Sequence, residues 1–241
     1  KNARTVQGEL TRVIAGVTGQ PQLELYGSGR TDAGVHALEQ VAHLDIITNI
    51  PAETLRRRIN DGLPTDIHIL HIELAQRKFH ARHDAVARSY LYQISRRRTA
   101  FAKNVVWWVR EPLDLAAMRA TAERFAGIRD FRSFTDDSAD EKSTLVAIER
   151  IEVAEDGDLV LIRVEGSHFL WKMVRRIVGV MVDVGSGGTT AEQAEQFLRE
   201  ESGVPAQLTA PASGLFLERV YYRGDRRKPA LRGCVDVRFP R

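Results

Sequence analysis

Cysteine is nearly missing from this chain: Cys234 is the only one among 241 residues. A single thiol excludes an internal disulfide and a cysteine-built zinc site, and it suits a reducing cytoplasm. Long apolar runs are missing too. None approaches the roughly 20 residues needed to span a bilayer, and no secretory signal is visible. Neither H-E-x-x-H nor G-x-S-x-G occurs, which removes the usual supports for a zinc or serine hydrolase. His68 and His71 are three positions apart, as are His80 and His83. In a strand that spacing sends the two rings to opposite faces, so no metal site is expected. Charge of one sign is also lacking, with 35 Lys and Arg against 32 Asp and Glu.

What is present is enough for a folded protein: 43% of the residues are hydrophobic, which supplies a substantial core. The near-neutral balance hides local asymmetry. "SRRRTAFAK" and "YRGDRRKPALRG" are basic, and "TDDSADE" is acidic. Basic clusters of this kind favour a polyanion such as nucleic acid, or form a solvated surface.

Periodicity gives the elements. Val6, Leu10, Val13, Ile14 and Val17 predict a helix closed by Gly19. "LELYGSG" and "VAHLDI" predict short strands, Pro51 opens a helix through Leu55 and Ile59, and a strand is expected around Ile67 to Ile72. Tyr90, Tyr92 and Ile94 alternate as a strand does. Asp114 is placed to cap a helix carrying Leu115, Met118, Ala122 and Phe125, closed by Gly127. Asp156-Gly157 marks a hairpin turn. A long helix is predicted over 168–184, ended by Gly185, and Thr189 with Glu192 predicts a capping box for the next one. "GLFLERVYY" reads as a final strand. Helices interleaved with hairpins predict an α+β fold with mixed or antiparallel sheets, in two halves that divide near residues 80–100.

The stretch "GSGRTDAGVH", residues 27–36, concentrates three glycines around Arg30, Thr31 and Asp32. A dinucleotide fingerprint would need glycine at 32, where Asp32 stands, and a P-loop would need lysine after Gly34, where Val35 stands. A loop presenting Arg30 and Asp32 remains, either as a surface turn or as a site. On the long helix, His168, Lys172 and Arg175 lie opposite an apolar stripe of Phe169, Met173, Ile177, Val180, Met181 and Val184. That pattern suits a solvated basic face or a guanidinium aimed into a cleft beside a carboxylate. Tyr90 and Tyr92 either pack in the core or stack on a base.

Taken in series, the motifs resemble the tRNA pseudouridine synthase A family. The resemblance rests on "GRTDAGVHA" at 29–37, "LPTDIHI", "FHARHDAVARSYLY", "FLWKMVRRIVG" and "APASGLFLERVYY", and it covers roughly residues 4–222. It implies the pseudouridine synthase fold, two α+β halves joined around a catalytic cleft. It also implies isomerisation of uridine to pseudouridine in the anticodon arm of tRNA, at tRNA positions 38, 39 and 40, by a homodimer without cofactor or metal. By the same resemblance Asp32 is the catalytic aspartate and nucleophile, and Arg175 its ion-pair partner. Tyr90 is the tyrosine that packs on the target base, and Arg30 the arginine that displaces it. A catalytically silent RNA-binding protein of the same fold is the alternative, and the presence of all four residues argues for the enzyme.

The halves are expected at 1–85 and 86–222, with a basic tail over 223–241. Family members open with a strand and a "YDG…GWQ" stretch, whereas this chain opens at "KNARTVQGEL". The N-terminal half is therefore read as incomplete at its start. The tail is read as extra phosphate contacts or as a disordered extension.

Overall fold

The computed structural model describes residues 4–137, 143–228 and 230–235. In chain order the elements are α1 (Val6–Thr18), β1 (Glu24–Gly27), β2 (His36–Ala37), β3 (Ala42–Asp45), α2 (Ala52–Gly62), β4 (Ala87–Ser95) and β5 (Trp107–Trp108). They continue with α3 (Leu115–Phe125), β6 (Gly127–Asp130), β7 (Leu145–Asp156), β8 (Leu159–Gly166), α4 (Met173–Gly185), α5 (Ala191–Gln196), α6 (Val204–Gln207) and β9 (Leu215–Tyr221). The chain divides into two compact units, one of residues 1–30 and 41–85, the other of 31–40 and 86–241. The segment with Asp32 belongs to the second unit, and so does the tail. Among the described residues no helix is long and apolar enough to cross a membrane.

In the first unit, α1 and α2 bury Val13, Ile14, Leu55 and Ile59 against Leu44, Ile46, Ile69 and Ile72. Thr5 caps α1 by accepting from the Gly8 amide, and Gly19 closes it in the left-handed region at φ 73°. β1 and β3 pair antiparallel. The strand expected around Ile67 to Ile72 does not form. The Asn60 side chain stands in for a neighbouring strand: its carboxamide oxygen accepts from the Ile69 amide at 2.8 Å and its nitrogen donates to the Ile69 carbonyl at 2.9 Å. His80 and His83 also depart from the strand reading. They lie on a turn, with ring centroids 4.1 Å apart.

The second unit is built on a mixed sheet of order β2-β9-β4-β8-β7-β6, with β5 paired to the end of β4. Both faces are covered. Tyr92, Ile94, Val160, Ile162, Val164 and Leu215 pack with α3 and α4 in the main core. Leu91, Leu159, Leu161 and Phe216, which alternate with them, pack with Ala102 and Val106 and with Leu231, Cys234 and Val235 of the tail. A strand with both faces buried shows little apolar-polar alternation.

The second face also carries a buried ionic network. Arg163 donates to both oxygens of Glu218 at 2.8 Å, Ser89 donates to Glu218 at 2.7 Å, and Arg163 reaches Glu152 at 3.1 Å. Burial works against the Glu218 charge, but the Arg163 guanidinium and the Ser89 hydroxyl more than offset it and hold the carboxyl below its ordinary range.

The tail is part of this face. Carbonyls of Lys228 and Ala230 accept from Arg150 and Arg163, and the Cys234 amide donates to Gln93 at 2.8 Å. Arg227 pairs with Glu149 and Lys228 with Glu39, so both cations are already matched by acids. Residues 227, 228, 231 and 233–235 are thus partly buried against the sheet, while 223–226, 230 and 232 are exposed. Positions 236–241 and the acidic stretch from 138 to 142 lie outside the described residues.

Three further expectations change. The long helix begins at Met173, not 168, because Lys172 takes a left-handed conformation at φ 61° that interrupts helical geometry. His168 therefore does not share a helix face with Arg175. The capping box is formed by Thr190 and Gln193, one residue later than expected. Asp114 caps α3 as predicted, but Ala126 ends that helix, and Gly127, at φ 89°, starts β6.

Candidate active site

Asp32 opens a tight turn in the second unit. The Val35 amide donates to the Asp32 carbonyl at 3.1 Å, and Gly34 sits at the third position with φ 81°. That conformation requires glycine in a turn of this kind. Immediately after the turn the chain locks onto β9: His36 and Ala37 pair parallel with Phe216 and Leu217. The Leu38 amide continues the ladder to the Leu217 carbonyl. The His36 ring stacks on Phe216 at 4.7 Å and contacts the Asn104 carbonyl at 2.7 Å. The aspartate is thus held by a turn on one side and a sheet edge on the other.

Arg175, on the first turn of α4, places Nη1 at 3.4 Å from Asp32 Oδ2. Its Nε donates to the Ala210 carbonyl at 2.7 Å, and the Ala210 amide donates to the Arg175 carbonyl at 3.1 Å. This two-way bond needs the 208–210 segment close against α4. Gly179 permits it, since a Cβ there would lie 1.7 Å from the Leu208 carbonyl oxygen. Gly179 and Ala210 therefore fix the guanidinium that faces the aspartate.

A second donor reaches Asp32. The Trp171 indole N–H donates to Oδ1 at 3.1 Å. Trp171 stands three residues after His168 and four before Arg175, a spacing that puts it on their face of a continuous helix and is the signal for it in the sequence.

The two tyrosines of β4 separate. Tyr92 is fully buried and its hydroxyl donates to the Pro211 carbonyl at 2.7 Å, which makes it a core residue. Tyr90 is half-buried, edge-on to Phe169 at 5.0 Å. Burial pushes its hydroxyl up to about 12; Arg88 acts against that rise and the Asp32 charge adds to it. The Tyr90 hydroxyl therefore stays protonated at neutral pH and lies within electrostatic reach of Asp32. Asp32, Arg175 and Tyr90 come together in the second unit. Arg30 ends the first stretch of the first unit and is exposed. Among the described residues, no three His, Cys, Asp or Glu side chains are grouped so as to hold a metal ion.

A carboxylate held at one oxygen by a guanidinium and at the other by an indole, beside a neutral phenol and aromatic rings, can attack or deprotonate a planar, electron-poor substrate. Comparison with known proteins points to one class of such substrate. A family model for tRNA pseudouridine synthase matches residues 121–223. The chain is 35% identical to tRNA pseudouridine synthase A 2 of Bacillus cereus over 223 residues, covering 92% of this chain and 91% of that protein. It is 37% identical to tRNA pseudouridine synthase A of Bartonella tribocorum over 223 residues, covering 90% of each. Similarity at this level over nearly the whole of both chains, on a mixed α+β architecture, shows that the chain belongs to the tRNA pseudouridine synthase A family of isomerases.

Proposed function

We propose that this protein converts uridine to pseudouridine in the anticodon arm of tRNA, at tRNA positions 38, 39 and 40, with Asp32 as the nucleophile. The observation that carries the reading is the Asp32 carboxylate, fixed at both oxygens by Arg175 and Trp171. The reaction breaks the bond between C1′ and N1 of uracil and forms one between C1′ and C5. N1 gains a proton and C5 loses one, so the product is an isomer. One carboxylate suffices for covalent assistance, and the Arg175 guanidinium faces it.

A uridine within a stem or loop reaches such a carboxylate only by leaving its stack. Tyr90, uncharged and flat, covers the extruded ring, and Arg30 occupies the space it vacates. Both roles rest on the match of "GRTDAG" and "RSYLY" to the family motifs, with the half-burial of Tyr90 supporting the first. A cytoplasmic homodimer, each tRNA touching both subunits, completes the reading.

The test is release of tritium from tRNA labelled at uracil C5, for the wild type and for Asp32→Asn. Asparagine keeps the shape and removes the charge. The variant is expected to lose activity while still binding tRNA; full activity would falsify the assignment of Asp32. Mapping pseudouridine in the product tests the three positions, and sedimentation with and without tRNA tests the dimer.

A further inference from the structure

We propose that Trp171 is a positioning residue for Asp32, and that the acid-paired, left-handed Lys172 is the device that sets its indole in place. The inference rests on the reading of Asp32 as nucleophile and concerns how that carboxylate is aimed. A carboxylate rotates readily about its last torsion, which is broad and roughly two-fold. One donor leaves that rotation partly free. Two donors on different oxygens fix the plane, and here Arg175 meets Oδ2 at 3.4 Å while Trp171 meets Oδ1 at 3.1 Å. The indole N–H is a donor only and does not titrate, so it orients the carboxylate without competing for a proton. Each oxygen keeps a further lone-pair direction for the substrate.

Burial does not explain where Trp171 sits. The residue is 50% exposed. Its position is imposed through the backbone and through its neighbour. The Trp171 amide donates to Asp137 Oδ2 at 3.1 Å, and the Lys172 ammonium lies 4.7 Å from the indole centroid. That ammonium donates to Asp136 Oδ2 at 2.6 Å, and Arg176 holds the other Asp136 oxygen. Lys172 and then Arg176 keep the Asp136 carboxyl below its ordinary range, even though burial works the other way.

Among the described residues Lys172 is the only non-glycine at positive φ. A left-handed lysine is strained and persists only where its surroundings over-determine it. Here the surroundings are the two aspartates of the 136–137 turn. The result of the strain is a break in the chain immediately before α4, which turns the indole onto Asp32.

Three forms of the full-length protein test this. Trp171→Phe keeps an aromatic ring and removes the donor. Trp171→His restores a ring N–H. Asp136→Asn leaves Asp32 and Trp171 intact but loosens Lys172. Under single-turnover conditions Trp171→Phe is expected to slow tritium release by between about tenfold and about a hundredfold, the scale of a misaligned reacting group. Its affinity for tRNA should stay at the wild-type value. Trp171→His should recover most of the rate, and Asp136→Asn should lose part of it.

A readout independent of activity comes from indole ¹⁵N–¹H resonances, of which the three tryptophans give three. The one missing in Trp171→Phe should move in Asp32→Asn while the other two stay, and those two also report that the variants are folded. A wild-type rate in Trp171→Phe overturns the proposal. So does a rate loss matched by weaker tRNA binding, which would make Trp171 an RNA contact, or an indole resonance indifferent to Asp32→Asn. If the wild type itself releases no tritium, the functional reading fails instead; the resonance experiment then still decides whether Trp171 holds Asp32.

Discussion

Glu218→Gln measures how far charge holds the second face of the sheet. Glu218 and Arg163 are 4% and 1% exposed, so solvent screens neither. Glutamine keeps the shape and one acceptor, but it removes the charge and turns an amide N–H₂ toward a guanidinium. Breaking a buried pair from one side costs about 3–5 kcal/mol. Arg163 would retain Glu152 at 3.1 Å and the Ala230 carbonyl at 2.9 Å. Those contacts place the expected loss at the lower end, about 3 kcal/mol. For a protein of this size that corresponds to a fall in Tm of about 6–12 °C.

The pH dependence has a definite sign. The Glu218 carboxyl is held below its ordinary value of 4.5 in the folded state. Its contribution is therefore complete above that value and is lost as pH falls through the depressed folded pKa. Thermal and urea unfolding, followed by circular dichroism at neutral and acid pH, should show a penalty that is largest at neutral pH and shrinks in acid. A neutral-pH loss within the roughly 0.5 kcal/mol of an ordinary surface substitution, or a penalty that grows as pH falls, would refute the reasoning. The site should feel the change as well, because Ser89 and Glu218 adjoin Tyr90 and Leu217, which are paired across β4 and β9.

Other perturbations separate neighbouring roles. Tyr92→Phe removes the bond to the Pro211 carbonyl and should cost about 1 kcal/mol in unfolding experiments with tritium release unchanged. Tyr90→Leu, which deletes the ring proposed to cover the base, should slow release with little loss of stability. Gly179→Ala should destabilise by about 3 kcal/mol through overpacking and also slow turnover, since it drives the Ala210 carbonyl away from Arg175; a stable variant of normal rate would show that the close approach is dispensable. Deleting residues 229–241 should lower Tm, measured by thermal unfolding, because it strips Leu231, Cys234 and Val235 from the second face of the sheet.

Much of this was legible in the residues. Alternation marked β4 and β9, Asp156-Gly157 marked the hairpin, and Gly19 and Asp114 marked helix ends, because each signal is local. The readings that failed depended on partners distant in sequence. Ile67 to Ile72 has a strand-like pattern, but Asn60 satisfies Ile69 in place of a strand. The helical pattern from His168 to Val184 reads past Lys172 without a break, and only Asp136 and Asp137, far upstream, reveal why the backbone turns left-handed there. The tail reads as surplus positive charge, yet its carbonyls answer Arg150 and Arg163 and its cations answer Glu39 and Glu149. At the site, Asp32, Arg175 and Tyr90 are legible through motif resemblance, and Trp171 only through its helical spacing from Arg175.

The pairing of His36 and Ala37 with Phe216 and Leu217 has a consequence in time. Synthesis delivers Asp32 long before β9, the strand that anchors its turn. While the protein is still on the ribosome, the turn bearing Asp32 has no β9 to lock onto, and α4 has no 208–210 segment to steer Arg175. A chain that ends before β9 therefore carries Asp32 without the strand that its turn locks onto. The surroundings of Asp32 are assembled only once β9 pairs with β2.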